Sequence, residues 1–162
     1  MITQERLHEL LDYDPDTGVF VWRERRGAVK SGTTAGRIHH SGYREISINN
    51  KKYLSHRLAW LYVYGAFPDD QIDHINGVKT DNRLVNLRES TNTQNAYNRG
   101  LMPNNSTGLK GVCFNKIRNR YQSQIVVNKK VIYLGTFSSP EEAHAAYCKA
   151  AEKLHGEFAR MA

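Results

Sequence analysis

Apolar residues recur at short, changing periods along this chain, and the changes of period mark its elements. Thr3 and Glu5 precede Leu7, Leu10 and Leu11, the spacing of a short capped amphipathic helix. The turn residues of "DPDTG" interrupt it, and "VFVW" from Val19 to Trp22 then reads as a strand. Residues 27–42 carry Gly, Ser and Thr without periodicity and read as a loop. Beyond them Arg44, Ile46 and Ile48 alternate with Tyr43, Glu45 and Ser47, turn at Asn49-Asn50 and return through Lys52, Tyr53 and Leu54, a hairpin pattern. "HRLAWLYVYG" is apolar nearly all round, as a buried helix is, and Gly65 suits its C-terminal cap.

A second texture begins after "GLMPNNSTG", residues 100–108, which reads as a linker. Strand patterns near 110–115, 120–127 and 130–137 precede a helix opening at Ser139-Pro140-Glu141-Glu142, with Ser at the cap, Pro at the first helical position and Glu at the third. Ala143, Ala146, Tyr147, Ala150 and Leu154 supply its apolar face. Strand alternation places Tyr121, Ser123, Ile125 and Val127 on one side and Gln122, Gln124 and Val126 on the other. Ile132 and Leu134 are expected to face the helix, leaving Val131 and Tyr133 outward. The pattern is α+β, with a three-stranded antiparallel sheet packed on one helix at the C-terminal end.

Composition narrows the class. The chain has 162 residues, 40% of them hydrophobic, which suffices for one ordinary domain or two small ones. Its formal charge is +7, and no Asp or Glu lies between Ser90 and Pro140, where Arg99, Lys110, Lys116, Arg118, Arg120, Lys129 and Lys130 fall. The charge alone suits either nucleic acid or membrane, but a long surface without carboxylates does not repel phosphates, which favours nucleic acid over a merely solvated basic face. Cys113 and Cys148 lack the paired spacing of a zinc site or a disulfide scaffold. There is no apolar run of membrane-spanning length and no signal-peptide pattern, so the expected compartment is the cytoplasm.

The polar stretch "QIDHINGVKTDNRLVNLRESTNTQNAYNR", residues 71–99, carries the candidate chemistry. Phosphodiester hydrolysis needs a base to deprotonate water and a cation to stabilise charge on the phosphate and the leaving oxygen. A neutral imidazole can be that base, and a carboxylate with an amide oxygen can hold a hard cation. Asp73, His74 and Asn95 provide those parts, although Asn76-Gly77 and its neighbours are equally at home in turns.

The segment closely resembles the HNH homing-endonuclease type of nuclease over about residues 56–99: Asp-His, then Asn-Leu-Arg twelve residues after the His, then Asn nine residues later. The resemblance implies a ββα-metal module, a hairpin followed by a helix around one divalent ion. It makes His74 the general base, Asp73 and Asn95 the metal ligands, and Asn86 the residue that orients the His74 ring. Many relatives have His where this chain has Asn95, and an amide with a carboxylate favours magnesium or manganese over zinc. Arg83 and Arg88 are candidate phosphate contacts, with Asp81 and Glu89 as alternative partners. Asn82 reads as a turn residue. His56 and Arg57 match a recurrent "HRL" of the family and read foremost as the start of a buried helix.

From "GV" and "Y-x-x-x-I" through "YLGTFSSPEEAHAAYCKAA" to "HGEFAR", residues 108–160 resemble the Apetala/ethylene-response-factor type DNA-binding domain. That resemblance implies a sheet face set against DNA, here offering Cys113, Asn115, Arg118, Arg120, Gln122, Gln124 and Tyr133, with Lys110, Arg118, Arg120, Lys129 and Lys130 for phosphates. The expected organisation is a nuclease domain with an N-terminal extension over 1–100, a linker over 101–107 and a DNA-binding domain over 108–162. The expected function is metal-dependent endonucleolytic cleavage of double-stranded DNA, most simply by nicking one strand, with no membrane and no obligatory protein partner. If the gene is phage-borne, the compartment is the cytoplasm of the bacterial host. The rival expectation is a sequence-specific DNA-binding regulator with a degenerate nuclease site.

Overall fold

The computed structural model describes residues 1–161 and divides into two compact units, Met1–Ser90 and Thr91–Ala162. The first unit opens with α1, Gln4–Leu10, whose N-cap Thr3 accepts from the Arg6 amide. It continues into an antiparallel hairpin of β1, Leu11–Asp14, and β2, Val19–Trp22. A second sheet holds β3, Arg37–Ile38, β4, Arg44–Ile48, and β5, Lys51–Leu54, in that order. Asn49 and Asn50 both have left-handed φ, 49° and 60°, as the tight β4–β5 turn requires. The buried helix α2, Ser55–Tyr64, follows and ends on Gly65. Leu7, Leu11, Phe20, Ile46, Leu58 and Leu61 form the core shared by these elements.

This core supports a third hairpin, β6, Gln71–His74, against β7, Leu87–Ser90, with a 3₁₀ turn at Leu84–Asn86. The β1–β2 turn presses on the loop between them. A Cβ at Gly18, φ +71°, would lie 2.4 Å from both Arg83 N and the Asn82 carbonyl carbon, so only glycine fits. Leu84 N donates to Pro15 O at 3.0 Å and Tyr13 Oη to Asn82 O at 2.7 Å. The N-terminal residues thus buttress the loop that carries the Asn-rich motif.

The second unit begins with α3, Asn92–Tyr97, held by a Thr91–Gln94 capping box. Strands β8, Val112–Asn115, β9, Arg120–Val127, and β10, Lys130–Phe137, form an antiparallel sheet with β9 central. The 16-residue α4, Pro140–His155, covers one face, its N-cap Ser139 accepting from Glu142 N at 3.2 Å. Ile125, Tyr147 and Ala151 form the core there. A Cβ on Gly111 would strike the Tyr147 ring at 2.0 Å, which shows how closely the chain passes α4.

Two details differ from the pattern reading. The buried face of α4 is Ala143, Tyr147, Ala151 and His155, whereas Leu154 is exposed, because His155 turns inward to bond Val126 O through Nε2 at 2.9 Å. Ile132 pairs with Ile125 on the helix side yet stays 40% exposed on edge strand β10, where an irregularity between Tyr133 and Gly135 breaks the register.

Helix α3 packs within the second unit. The Tyr97 ring stacks on His155 at 3.7 Å and 8°, its hydroxyl accepts from Asn128 N at 3.0 Å, and Lys110 Nζ donates to Tyr97 O at 2.8 Å.

Candidate active site and DNA-reading face

Asp73 and His74 close strand β6, and the register sets them opposite Arg88 and Leu87. Strand alternation would send one of two adjacent side chains to solvent, but here both are buried. Arg88 donates to Asp73 Oδ2 from Nε at 3.0 Å and Nη2 at 2.8 Å, with little of either side chain exposed. A buried carboxylate is tolerated because this guanidinium compensates it. Arg88 therefore turns to Asp73 rather than to Glu89, and its first role is to hold that carboxylate.

The His74 ring rests in a cage of rings and amides. Nε2 lies 3.2 Å from Asn82 Oδ1, which can only accept, so Nε2 carries the proton and the lone pair belongs to Nδ1. His56 meets the ring edge-on at 4.9 Å, and Tyr43 lies 5.8 Å away. Burial pushes the His74 pKa below its ordinary value, outweighing Asn82 and Asp73, which pull it up. His56 is pushed down to about 3, by burial first and then by the His74 and Arg57 charges. Both imidazoles are neutral at pH 7.

The orienting amide differs from the expected one. Asn86 Oδ1 accepts from Asn76 N at 2.9 Å and its Nδ2 donates to Asp81 O at 2.8 Å, while its own carbonyl accepts from Ile75 N at 2.9 Å. Asn86 thereby closes the loop behind His74, and it is Asn82, read from sequence as a turn residue and only 1% exposed, that meets the ring. Nothing in the one-dimensional pattern separates the two amides, since both lie in turn-rich chain. His56 does begin a buried helix, as read, but it also packs on the candidate base. Its neighbour Arg57 bonds Asp70 O and Pro68 O, a purely structural arrangement.

Arg83 forms a bidentate pair with Asp81 at 2.8 and 2.7 Å, which holds the Asp81 carboxyl down at about 2. It remains on the surface, where such pairs are weak and exchangeable.

Asn95 lies in α3, half-buried, in the second unit. No cluster of three His, Cys, Asp or Glu suited to a metal occurs among the described residues. A carboxylate such as Asp73 and an amide such as Asn95 each bring an oxygen donor, the kind of ligand that hard cations take and structural zinc sites do not.

In the second unit, paired residues set four outward rungs on the sheet face away from α4: Asn115 with Arg120, Cys113 with Gln122 and Thr136, Gln124 with Tyr133, and Val126 with Val131. Arg118, Arg120, Lys129 and Lys130 are exposed around it. Two expected contacts have internal work instead. Asn115 Oδ1 accepts from Ile117 N and Arg118 N, both at 3.1 Å, and so shapes the β8–β9 turn. Lys110 is half-buried and pinned to Tyr97 O, with its pKa pushed down to about 8, by burial first and then by Arg160.

These features define a nuclease hairpin joined to a sheet-and-helix DNA-binding domain. The HNH endonuclease family model matches residues 53–97 and the AP2 domain model matches residues 107–157. The chain belongs to the HNH endonuclease family and carries an AP2 domain. It is 35% identical over 122 residues to an uncharacterized HNH endonuclease of Acanthamoeba polyphaga mimivirus, a match spanning 74% of this chain and 62% of that relative. It is 31% identical over 109 residues to Protein 3.8 of Escherichia phage T7, covering 65% of this chain and 88% of that protein. A solved structure of the HNH homing endonuclease I-HmuI, in a study of DNA binding and cleavage, aligns at 21% identity over 90% of this chain and 85% of that one, with a TM-score of 0.43.

Proposed function

We propose that the protein is a divalent-metal-dependent DNA endonuclease that nicks duplex DNA and is targeted by its C-terminal sheet. The observation that carries this reading is the buried, neutral His74, oriented by Asn82 beside the Asp73–Arg88 pair. A structural histidine needs neither a tautomer set by a buried amide nor a compensated carboxylate next to it.

His74 Nδ1 takes a proton from water as the oxygen attacks phosphorus in line with the departing 3′ oxygen. The depressed pKa keeps the ring unprotonated at neutral pH, ready to accept that proton. Asn82 holds Nε2–H and keeps the basic nitrogen fixed. Asp73 would hold one magnesium or manganese ion, and the motif resemblance makes Asn95 the expected second ligand. When bound, that cation supplies charge stabilisation for the phosphate and the leaving oxygen. Cleavage yields a 5′ phosphate and a 3′ hydroxyl. Arg83 exchanges Asp81 for a backbone phosphate as DNA docks.

Arg118, Arg120, Lys129 and Lys130 neutralise phosphates, and Gln122, Gln124 and Tyr133 face the groove. No helix among the described residues is long and apolar enough to cross a membrane, and both cysteines are free.

The test is relaxation and linearisation of supercoiled DNA with magnesium, manganese or chelator, for the native chain and His74→Ala, with duplex binding measured in parallel. Metal-dependent nicking that His74→Ala loses while still binding DNA supports the mechanism. Sequence-specific binding by the native chain with no cleavage in any metal would instead make it a regulator.

A further inference from the structure

We infer that the outward sheet face reads an A·T-rich site, using glutamine amides for adenine and a valine pair for thymine methyls. This rests on the reading of the sheet as the DNA-targeting surface and adds the identity of the bases.

The outward rungs have an unusual order of chemistry. Moving along β9 from the β8–β9 turn, the outward residues are Arg120, Gln122, Gln124 and Val126, and Val131 pairs with Val126 across the strands. Val126 is 47% exposed, Val131 62% and Tyr133 57%, although nothing in a small domain's own stability favours leaving such groups in water. The opposite face of β9 buries Ser123 and Ile125, so a one-residue slip cannot hide the valines without destroying the core.

Base edges in the major groove explain the order. Adenine offers a donor and an acceptor that match a glutamine amide bidentately, thymine offers a methyl group that favours apolar contact, and guanine is the partner of arginine or lysine. On these rungs the amides and valines occupy the middle and far end, while the cation Arg120 stands at the turn. Same-face residues on a strand are spaced by about 7 Å, close to two base-pair steps of about 3.4 Å each. Gln122, Gln124 and Val126 therefore address bases two steps apart when β9 runs along the groove. The exposed lysines of the β9–β10 turn, Lys129 and Lys130, lie beside the valine rung, where phosphates flanking such a site would pass.

The experiment is selection of duplexes from a random pool by the full chain in chelator at fixed salt, followed by affinity measurements with thymine replaced by uracil. The expected site is A·T-rich, with adenine or thymine specified at alternate steps. Uracil, which lacks the methyl group, weakens binding by the native chain about 3-fold per contacted base and leaves a Val126→Ala, Val131→Ala double variant unchanged. Gln124→Ala weakens binding about 10- to 100-fold, and Gln124→Arg moves the chosen base to guanine at one position. Thermal unfolding of these surface variants stays at the native value.

A selected site built on G·C pairs, or indifference of the native chain to uracil, would overturn the inference while leaving the endonuclease reading intact. Retained nicking with no base selected would overturn it equally. Failure of the full chain to bind any duplex overturns both this inference and the targeting role beneath it.

Discussion

The two units place the same functional group in opposite settings. In the first, Asn82 and Asn86 are buried with their amides bonded inside the loop between β6 and β7. In the second, Gln124 stands exposed on the sheet and Gln122 half-buried, on a face turned away from α4. A buried amide must be satisfied by protein and so fixes geometry; an exposed one can exchange water for a ligand and so discriminates. Under the proposed function, the first unit holds a base still and the second presents adjustable contacts.

The largest expected effect separates chemistry from binding. His74→Ala should lower the nicking rate by about 10²–10⁴-fold, with duplex affinity in chelator within about 3-fold of native. Comparable losses in both would break the contrast, because the base would then be part of the DNA-contact surface.

Next come the arginine pairs of the first unit. Removing the guanidinium from a buried carboxylate leaves an uncompensated charge, so Arg88→Ala should cost about 3–5 kcal/mol of stability. Arg83→Ala, at a surface pair with Asp81, should leave the denaturation midpoint close to native but weaken binding to all duplexes alike. Chemical denaturation followed by fluorescence of Trp22 and Trp60 reports on the unit concerned.

Acidity sharpens the same contrast. The folded-state pKa of His56 is depressed to about 3 from an ordinary 6.5. Between those values the unfolded chain takes up a proton that the folded unit refuses, so stability is full above about pH 6.5 and is lost as pH falls toward 3. A His56→Leu variant should flatten that slope, as read by denaturation midpoints at several pH values. An unchanged slope would mean that other groups carry the acid sensitivity.

The smallest effect belongs to the second unit's rim. Lys129→Ala or Lys130→Ala should reduce the slope of log affinity against log salt by about 1 each, with little change in nicking once DNA is saturating. Lys110→Met should leave that slope untouched, since its ammonium is bonded to Tyr97 O, and should loosen α3 instead.

Much of this architecture was legible because its signals are local. The Ser139-Pro140 helix start, the Asn49-Asn50 turn, the Gly65 cap and the alternation in β9 are decided by neighbouring residues, and each formed where read. The Asp73-His74 pair and the nuclease and DNA-binding domain types were likewise recognisable from motif spacing. The tasks of individual amides and cations were not. Asn86 against Asn82 as partner of the His74 ring, Arg88 with Asp73, and Lys110 with Tyr97 depend on which side chains meet across strands or from distant chain.

Sequence by itself therefore determined the element pattern, the basic acid-free second half and the motif carrying the candidate base, since periodicity, capping and charge act over a few residues. Tertiary structure alone decided that Tyr13 and Gly18 brace the Asn82 loop, that His56 backs His74, and that α3 packs with the second unit. Those outcomes depend on burial and close approach between distant segments, where competing polar partners are chosen by three-dimensional fit and desolvation rather than by position along the chain.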